Sequence, residues 1–111
     1  VNRNADMAIT AMCWGFECAD GWYDLIDSLC FTIQNHIDNQ LKNNKSITQL
    51  VADQVKEKFG ELRFYASGGD EFTDGVLDLA CELSTKICEV CGNKGKLNGK
   101  SWIKTTCDKC E

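Results

Sequence analysis

Apolar residues recur at steps of three and four from Asp20 to about Leu41: Trp22, Leu25, Ile26, Leu29, Cys30, Ile33, Ile37 and Leu41. At 3.6 residues per turn this spacing stacks them on one face, so the pattern predicts a first amphipathic helix. Asp20 is its candidate N-cap, and Asp24 and Asp27 lie where the helix dipole favours negative charge. Lys42 to Ser46 breaks the pattern, with Asn43 and Asn44 suited to ending a helix. A second helical stripe, Phe72, Val76, Leu79, Ala80, Leu83 and Ile87, follows the loop Ser67-Gly68-Gly69-Asp70. Asp70 or Thr73 is its cap, and the helix runs straight into Cys88.

The stretch between the helices carries two periods at once. Ile47, Leu50, Val51 and Val55 fit helical spacing, whereas Val51, Val55 and Phe59 also fit strand alternation. Gly60 separates Val55–Phe59 from Leu62–Tyr65, and two short runs with a glycine between them favour a β-hairpin. The charged side chains of the first run fit a solvated face or a protected edge. A helix over residues 47–59 stays open as the alternative. The fold class that follows is α+β: two main helices with a β-hairpin in an acidic body, residues 1–87, and a four-cysteine ribbon, residues 88–111, packed on it.

Length and composition bound this picture. With 111 residues and 43% hydrophobic content, the chain is one ordinary globular domain with a single modest core. The net charge of −5 argues against coating nucleic acid by bulk electrostatics. The charge is uneven, at −8 over residues 1–85 and +3 over residues 86–111. Four thiolates and a zinc dication would bring the ribbon to about +1. No run approaches the roughly 20 apolar residues of a membrane span. Ala8 to Phe16 looks like a short signal core, but only Arg3 precedes it and no small-residue cleavage pattern follows, so it reads as domain sequence. The expectation is a soluble, cytoplasmic protein. The chain opens on Val1, which leaves Met7 as an alternative start.

Eight cysteines in so short a chain first raise a disulfide scaffold. Spacing points elsewhere for four of them. Cys88, Cys91, Cys107 and Cys110 form Cys-x2-Cys-x15-Cys-x2-Cys. Two residues between ligands let one tight turn aim both sulfurs at one ion, and the insert is long enough for a hairpin to return the second pair. Gly92 relaxes the turn after Cys91, Asn98-Gly99 is a two-residue hairpin signal, and Ser101–Thr105 reads as the returning strand. The ligand set predicts one structural Zn2+, ahead of rubredoxin-like iron or two disulfides. Binding energies on the order of 10–16 kcal/mol for comparable peptides exceed what so small an appendage gains from burying Trp102 and Leu97.

Other residues carry side chains capable of chemistry. Cys13, Cys18 and Cys30 lack a recognised ligand spacing, and His36 lies off the Cys30 face, so buried thiols are expected there and at Cys81. His36 reads as an exposed helix residue without a triad partner beside it in sequence. The acidic residues near the first helix start read as caps and surface. Trp14, Phe16, Trp22 and Tyr23, interleaved with Glu17 and Asp20, are candidates for binding a basic partner if exposed, or core if not. Lys94, Lys96, Lys100 and Lys104 around Trp102 are candidates for meeting phosphates while the indole stacks on a base.

Three strings, Gly15–Tyr23, Gln54–Tyr65 and Cys88-Glu89-Val90-Cys91-Gly92, together resemble a widespread family of short uncharacterised proteins of proteobacteria and their phages. Members often end the last knuckle with Cys and His, where this chain has Cys107 and Cys110. The resemblance implies a phage or prophage setting and no mechanism. The resulting expectation is a zinc-stabilised, non-enzymatic binding protein that contacts a host or phage protein, for example by inhibiting a nucleic-acid enzyme or defence complex. A nucleic-acid-binding ribbon is the alternative. No small-molecule substrate, membrane partner or catalytic residue is expected.

Overall fold

The computed structural model describes residues 16–111. Its elements are strand β1 (Phe16–Glu17), a 3-10 turn (Asp20–Trp22), helix α1 (Tyr23–Lys42), strands β2 (Thr48–Lys58) and β3 (Glu61–Gly69), helix α2 (Glu71–Ser84), and strands β4 (Lys96–Asn98) and β5 (Lys104–Thr106). β1, β2 and β3 form one sheet in that order, β1 parallel to β2 and β2 antiparallel to β3. β4 and β5 form a separate antiparallel pair.

α1 follows its sequence pattern closely. Trp22, Ile26, Leu29, Cys30, Ile33 and Ile37 are buried against Leu50, Ala52, Val55, Leu62, Phe64 and Ala80. Leu41 is the exception at 53% exposed. The helix ends where expected, with Asn44 in the left-handed region at φ 61 and Lys45 donating to the Gln40 carbonyl at 2.8 Å.

Of residues 47–59, Thr48–Lys58 resolve as strand and Phe59 as part of the turn. Register shifts between Thr48 and Val51 and between Ala52 and Gln54 break the alternation. Leu50 and Ala52 point inward, and the next buried position is Val55, three residues on. A bulge therefore writes a helix-like spacing into a strand. The hairpin turn is the pair Phe59-Gly60, both at positive φ (55 and 80) between the paired Lys58 and Glu61. That is the mirror-image two-residue turn whose twist suits a hairpin, though Asn is its usual first residue rather than Phe. Ser67, Gly68 and Gly69, expected as loop, belong to β3.

α2 departs most from its predicted stripe. It ends at Ser84 rather than Ile87, and Phe72, Leu79 and Leu83 are 50%, 60% and 39% exposed. The buried side is Thr73, Ala80 and Ser84, rotated about one residue around the helix. Small residues sit there because the helix comes close to the hairpin: the Leu62 N–H donates to Ser84 Oγ at 2.8 Å, and Ser84 Oγ donates to the Cys81 carbonyl at 2.5 Å. Both predicted caps act together. Asp70 Oδ1 accepts from the Thr73 N–H at 3.0 Å, and the Asp70 N–H donates to Thr73 Oγ1 at 2.8 Å, a reciprocal capping box.

Candidate metal centre and the surface beside it

The ribbon begins as α2 ends. The Lys86 carbonyl accepts from the Gly95 N–H at 2.9 Å, and Ile87 bridges to Lys94, which turns the chain back on itself. The first knuckle closes when the Gly92 N–H donates to the Cys88 carbonyl at 2.9 Å, with Gly92 at φ 84. The second closes through the Cys110 N–H and the Cys107 carbonyl at 3.1 Å. β4 and β5 carry the second pair back, joined by a five-residue loop over residues 99–103 rather than the predicted two-residue turn. Ser101 and Trp102 lie in that loop, not in a strand.

The four sulfurs of Cys88, Cys91, Cys107 and Cys110 all lie within 4.8 Å of one another. A tetrahedral ion with metal–sulfur bonds of about 2.3 Å needs sulfurs about 3.8 Å apart, so the cluster fits one ion. Cys91 and Cys107 stand 3.5 Å apart, well beyond a disulfide bond. Burial pushes the Cys88 thiol up, but N–H groups of Cys91, Cys107 and Val90 outweigh it and bring it down to about 6. The neighbouring Cys107 thiol, followed by burial, pushes Cys110 up to about 12. Four thiols this close do not all ionise without a cation among them.

The cluster is tied to the body by residues that carry no sequence signature. The Gly21 N–H donates to the Glu89 carbonyl at 2.6 Å, and the Ala19 N–H to Glu89 Oε2 at 3.0 Å. Trp22 Nε1 donates to the Ile87 carbonyl at 2.8 Å, and Thr105 Oγ1 to the Gly60 carbonyl at 2.5 Å. Lys104 Nζ lies 2.8 Å from Glu57 Oε1 and 3.9 Å from Glu89 Oε1. Burial raises the Glu57 carboxyl, but Lys104 and the Gly60 N–H together hold it below its ordinary value, and Glu57 in turn raises Lys104. Glu89, inside the first knuckle, is the residue most easily missed, because it looks like a spacer.

The predicted surface residues separate. Trp22 is fully buried, so it belongs to the core and not to a partner surface; its indole is spent on the Ile87 carbonyl. Tyr23 is 60% exposed and Asp20 is exposed. Phe16 and Glu17 form β1, while Cys13 and Trp14 lie outside the described residues. In the ribbon, Lys94, Lys96 and Lys100 are exposed, and Trp102 stands 76% exposed rather than packed. Leu97 is likewise about half exposed. Lys104 departs from its expected role, being held by Glu57.

His36 is half-buried, not a free surface residue: Nε2 lies 2.8 Å from Asp70 Oδ2, and its ring stacks on Phe72 at 4.1 Å. The fold supplies the carboxylate that sequence neighbours lacked, and the pair ties α1 to the start of α2. Cys18 and Cys30 are thiols pushed up by burial, to about 11 and about 12. Among the described residues only the four ribbon cysteines converge as a metal-ligand group. No described helix is long and apolar enough to cross a membrane.

Fold and site together define an α+β protein with a C-terminal cluster of four cysteines positioned to hold a metal ion. No protein-family model, curated protein or solved structure matches the chain.

Proposed function

We propose that the chain is a zinc-stabilised, non-enzymatic binding protein that recognises a macromolecule at the surface shared by its ribbon and its β2–β3 hairpin. The observation that carries this reading is Trp102, 76% exposed on the β4–β5 loop of the ribbon, where it lines a cleft with Phe59 of the hairpin turn. Four thiolates fill zinc's coordination shell and leave no position for water or substrate, so the ion's role is to fold the ribbon. An indole in water contributes nothing to a core and is the commonest kind of interface anchor. Metal analysis with native mass spectrometry tests the first half: one zinc per chain is expected, and a coloured iron form or a metal-free folded chain refutes it. For the second half, Trp102→Ala should abolish partner binding while metal content stays at one.

A second reading has its own support. α2 turns Phe72, Leu79 and Leu83 outward, and carries Glu71, Asp74, Asp78 and Glu82 with no basic residue within its span. An apolar stripe edged with acid suits a basic protein surface, in keeping with a phage protein that acts on a host enzyme. Loss of binding in Leu79→Lys but not in Trp102→Ala would favour it.

A further inference from the structure

Two bulky aromatic side chains stand in solvent where the ribbon meets the body. Phe59 is 63% exposed and Trp102 76%. Together with Glu57, Lys58, Ile103 and Lys104 they line one cavity of about 270 Å3. Each ring has an ammonium near it, Lys58 Nζ 5.7 Å from the Phe59 centroid and Lys104 Nζ 5.8 Å from that of Trp102. Neither ring is explained by the core. Phe59 holds φ 55, where a bulky side chain is disfavoured, at a turn position that Asn fills more readily. Strain of this kind, observed first and then questioned, points to use.

The two supports are also held in fixed relation. Thr105 Oγ1 donates to the Gly60 carbonyl, and Lys104 to Glu57, so the hairpin tip and the ribbon loop are joined beneath the cleft. The same contacts settle its charge. Glu57 is matched by Lys104 and the Gly60 N–H, and Glu89 behind Lys104 is buried. The lining carries Lys58 and Lys104 against Glu57 alone, which leaves the cleft net positive in a chain of net charge −5, and exposed Lys100 lies on the same loop as Trp102.

We propose that this cleft binds single-stranded nucleic acid, with a base stacked on Trp102 and Phe59 and the adjoining phosphates against Lys58 and Lys100. The inference rests on the binding-protein reading and names its partner. Aromatic faces stack on any unstacked base, whereas a duplex offers no free base face, which makes the strand single. The cavity lies at the small end of ligand sites, with room for one planar group rather than for a helix.

Fluorescence anisotropy of a labelled oligothymidylate of about twelve nucleotides, titrated with the full zinc-loaded chain at low and moderate salt, tests this. Saturable binding is expected, with a logarithmic salt slope of about −0.7 per phosphate contact. Trp102→Ala should weaken binding about tenfold or more, Trp102→Phe should keep most of it, and Lys58→Gln with Lys100→Gln should flatten the slope by about 1.4. Phe59→Asn separates binding from folding, since it relieves the turn and so holds or raises the melting temperature while weakening binding about tenfold. Trp102→Ala and Phe59→Asn chains that bind as tightly as wild type overturn the proposal. A cleft that ignores DNA and RNA oligonucleotides at low salt, yet loses a defined protein partner in Trp102→Ala, overturns the nucleic-acid assignment alone. Wild-type behaviour of Trp102→Ala toward every partner removes the binding-protein reading at this surface as well.

Discussion

Gly21 sits where the body and the ribbon touch, and Gly21→Ala measures how firmly they are joined. A Cβ at this position would overlap the carbonyl oxygens of Cys88 and Glu89, both backbone atoms of the first knuckle. The main chain must separate to admit it, and Cys88 belongs to the four-sulfur cluster placed to hold a metal ion. Overpacking of this kind costs about 1–3 kcal/mol. The separation also loosens the 2.6 Å bond from the Gly21 N–H to Glu89 and the 3.0 Å bond from the Ala19 N–H, each worth about 1 kcal/mol. The total, about 3–5 kcal/mol, lowers the melting temperature of a chain this size by roughly 10–20 °C. Because metal binding and ribbon folding share one free energy, the apparent zinc affinity should fall by roughly a hundredfold or more. Calorimetry of the zinc-loaded chain and competition with a chromophoric chelator read the two effects. An unchanged melting temperature would refute the coupling outright. A lowered melting temperature with unchanged zinc affinity would show that the ribbon folds independently of its seat.

Four further outcomes are expected. Trp22→Phe leaves the part-buried Ile87 carbonyl without its indole donor and should cost about 2–3 kcal/mol in denaturant unfolding, counting the lost volume. With native thiol titration at neutral pH, Cys18 and Cys30 should stay unreactive, because burial raises them to about 11 and about 12 and keeps them protonated. The four ribbon thiols should become reactive only after chelation. Asp70 is held below the ordinary carboxylate range, first by His36 and then by the Thr73 N–H. Its stabilising effect is therefore present above the unfolded value and lost as pH falls through the lower folded one, so acid-unfolding profiles should flatten in Asp70→Asn.

How much was legible in the sequence differs by element. α1 could be read because one face of it meets one core, so burial and periodicity coincide. The ligand spacing was legible for a similar reason: two knuckles and a returning hairpin are local constraints, and sequence records local constraints. β2 was ambiguous because its bulges shift the inward phase from Ala52 to Val55. The stripe predicted for α2 holds at Val76, Ala80 and Ile87, which pack on the core, and fails at Phe72, Leu79 and Leu83, because the helix's closest approach to the hairpin selects Thr73, Ala80 and Ser84 for size and hydrogen bonding rather than for greasiness. The residues that seat the ribbon, Gly21, Glu89, Lys104 and Thr105, act across 45 to 70 positions of chain. Nothing in their neighbours marks a partner that far away. Trp102 was visible as a candidate, but Phe59 was read only as a strand residue, because its exposure follows from the turn and not from the alternation.

The seam between Gly21 and Glu89 has a consequence for the life of the protein in a cell. If the cluster holds zinc as proposed, a chain synthesised while zinc is scarce lacks the ion that organises Cys88, and with it the geometry that satisfies the Gly21 and Ala19 amides and the Trp22 indole. Proteases that sample opened chains would then meet the body as well as the ribbon, since a change of a few kcal/mol alters steady-state abundance several-fold. Metal supply would set how much of the whole protein persists, and not merely whether its last turn is folded.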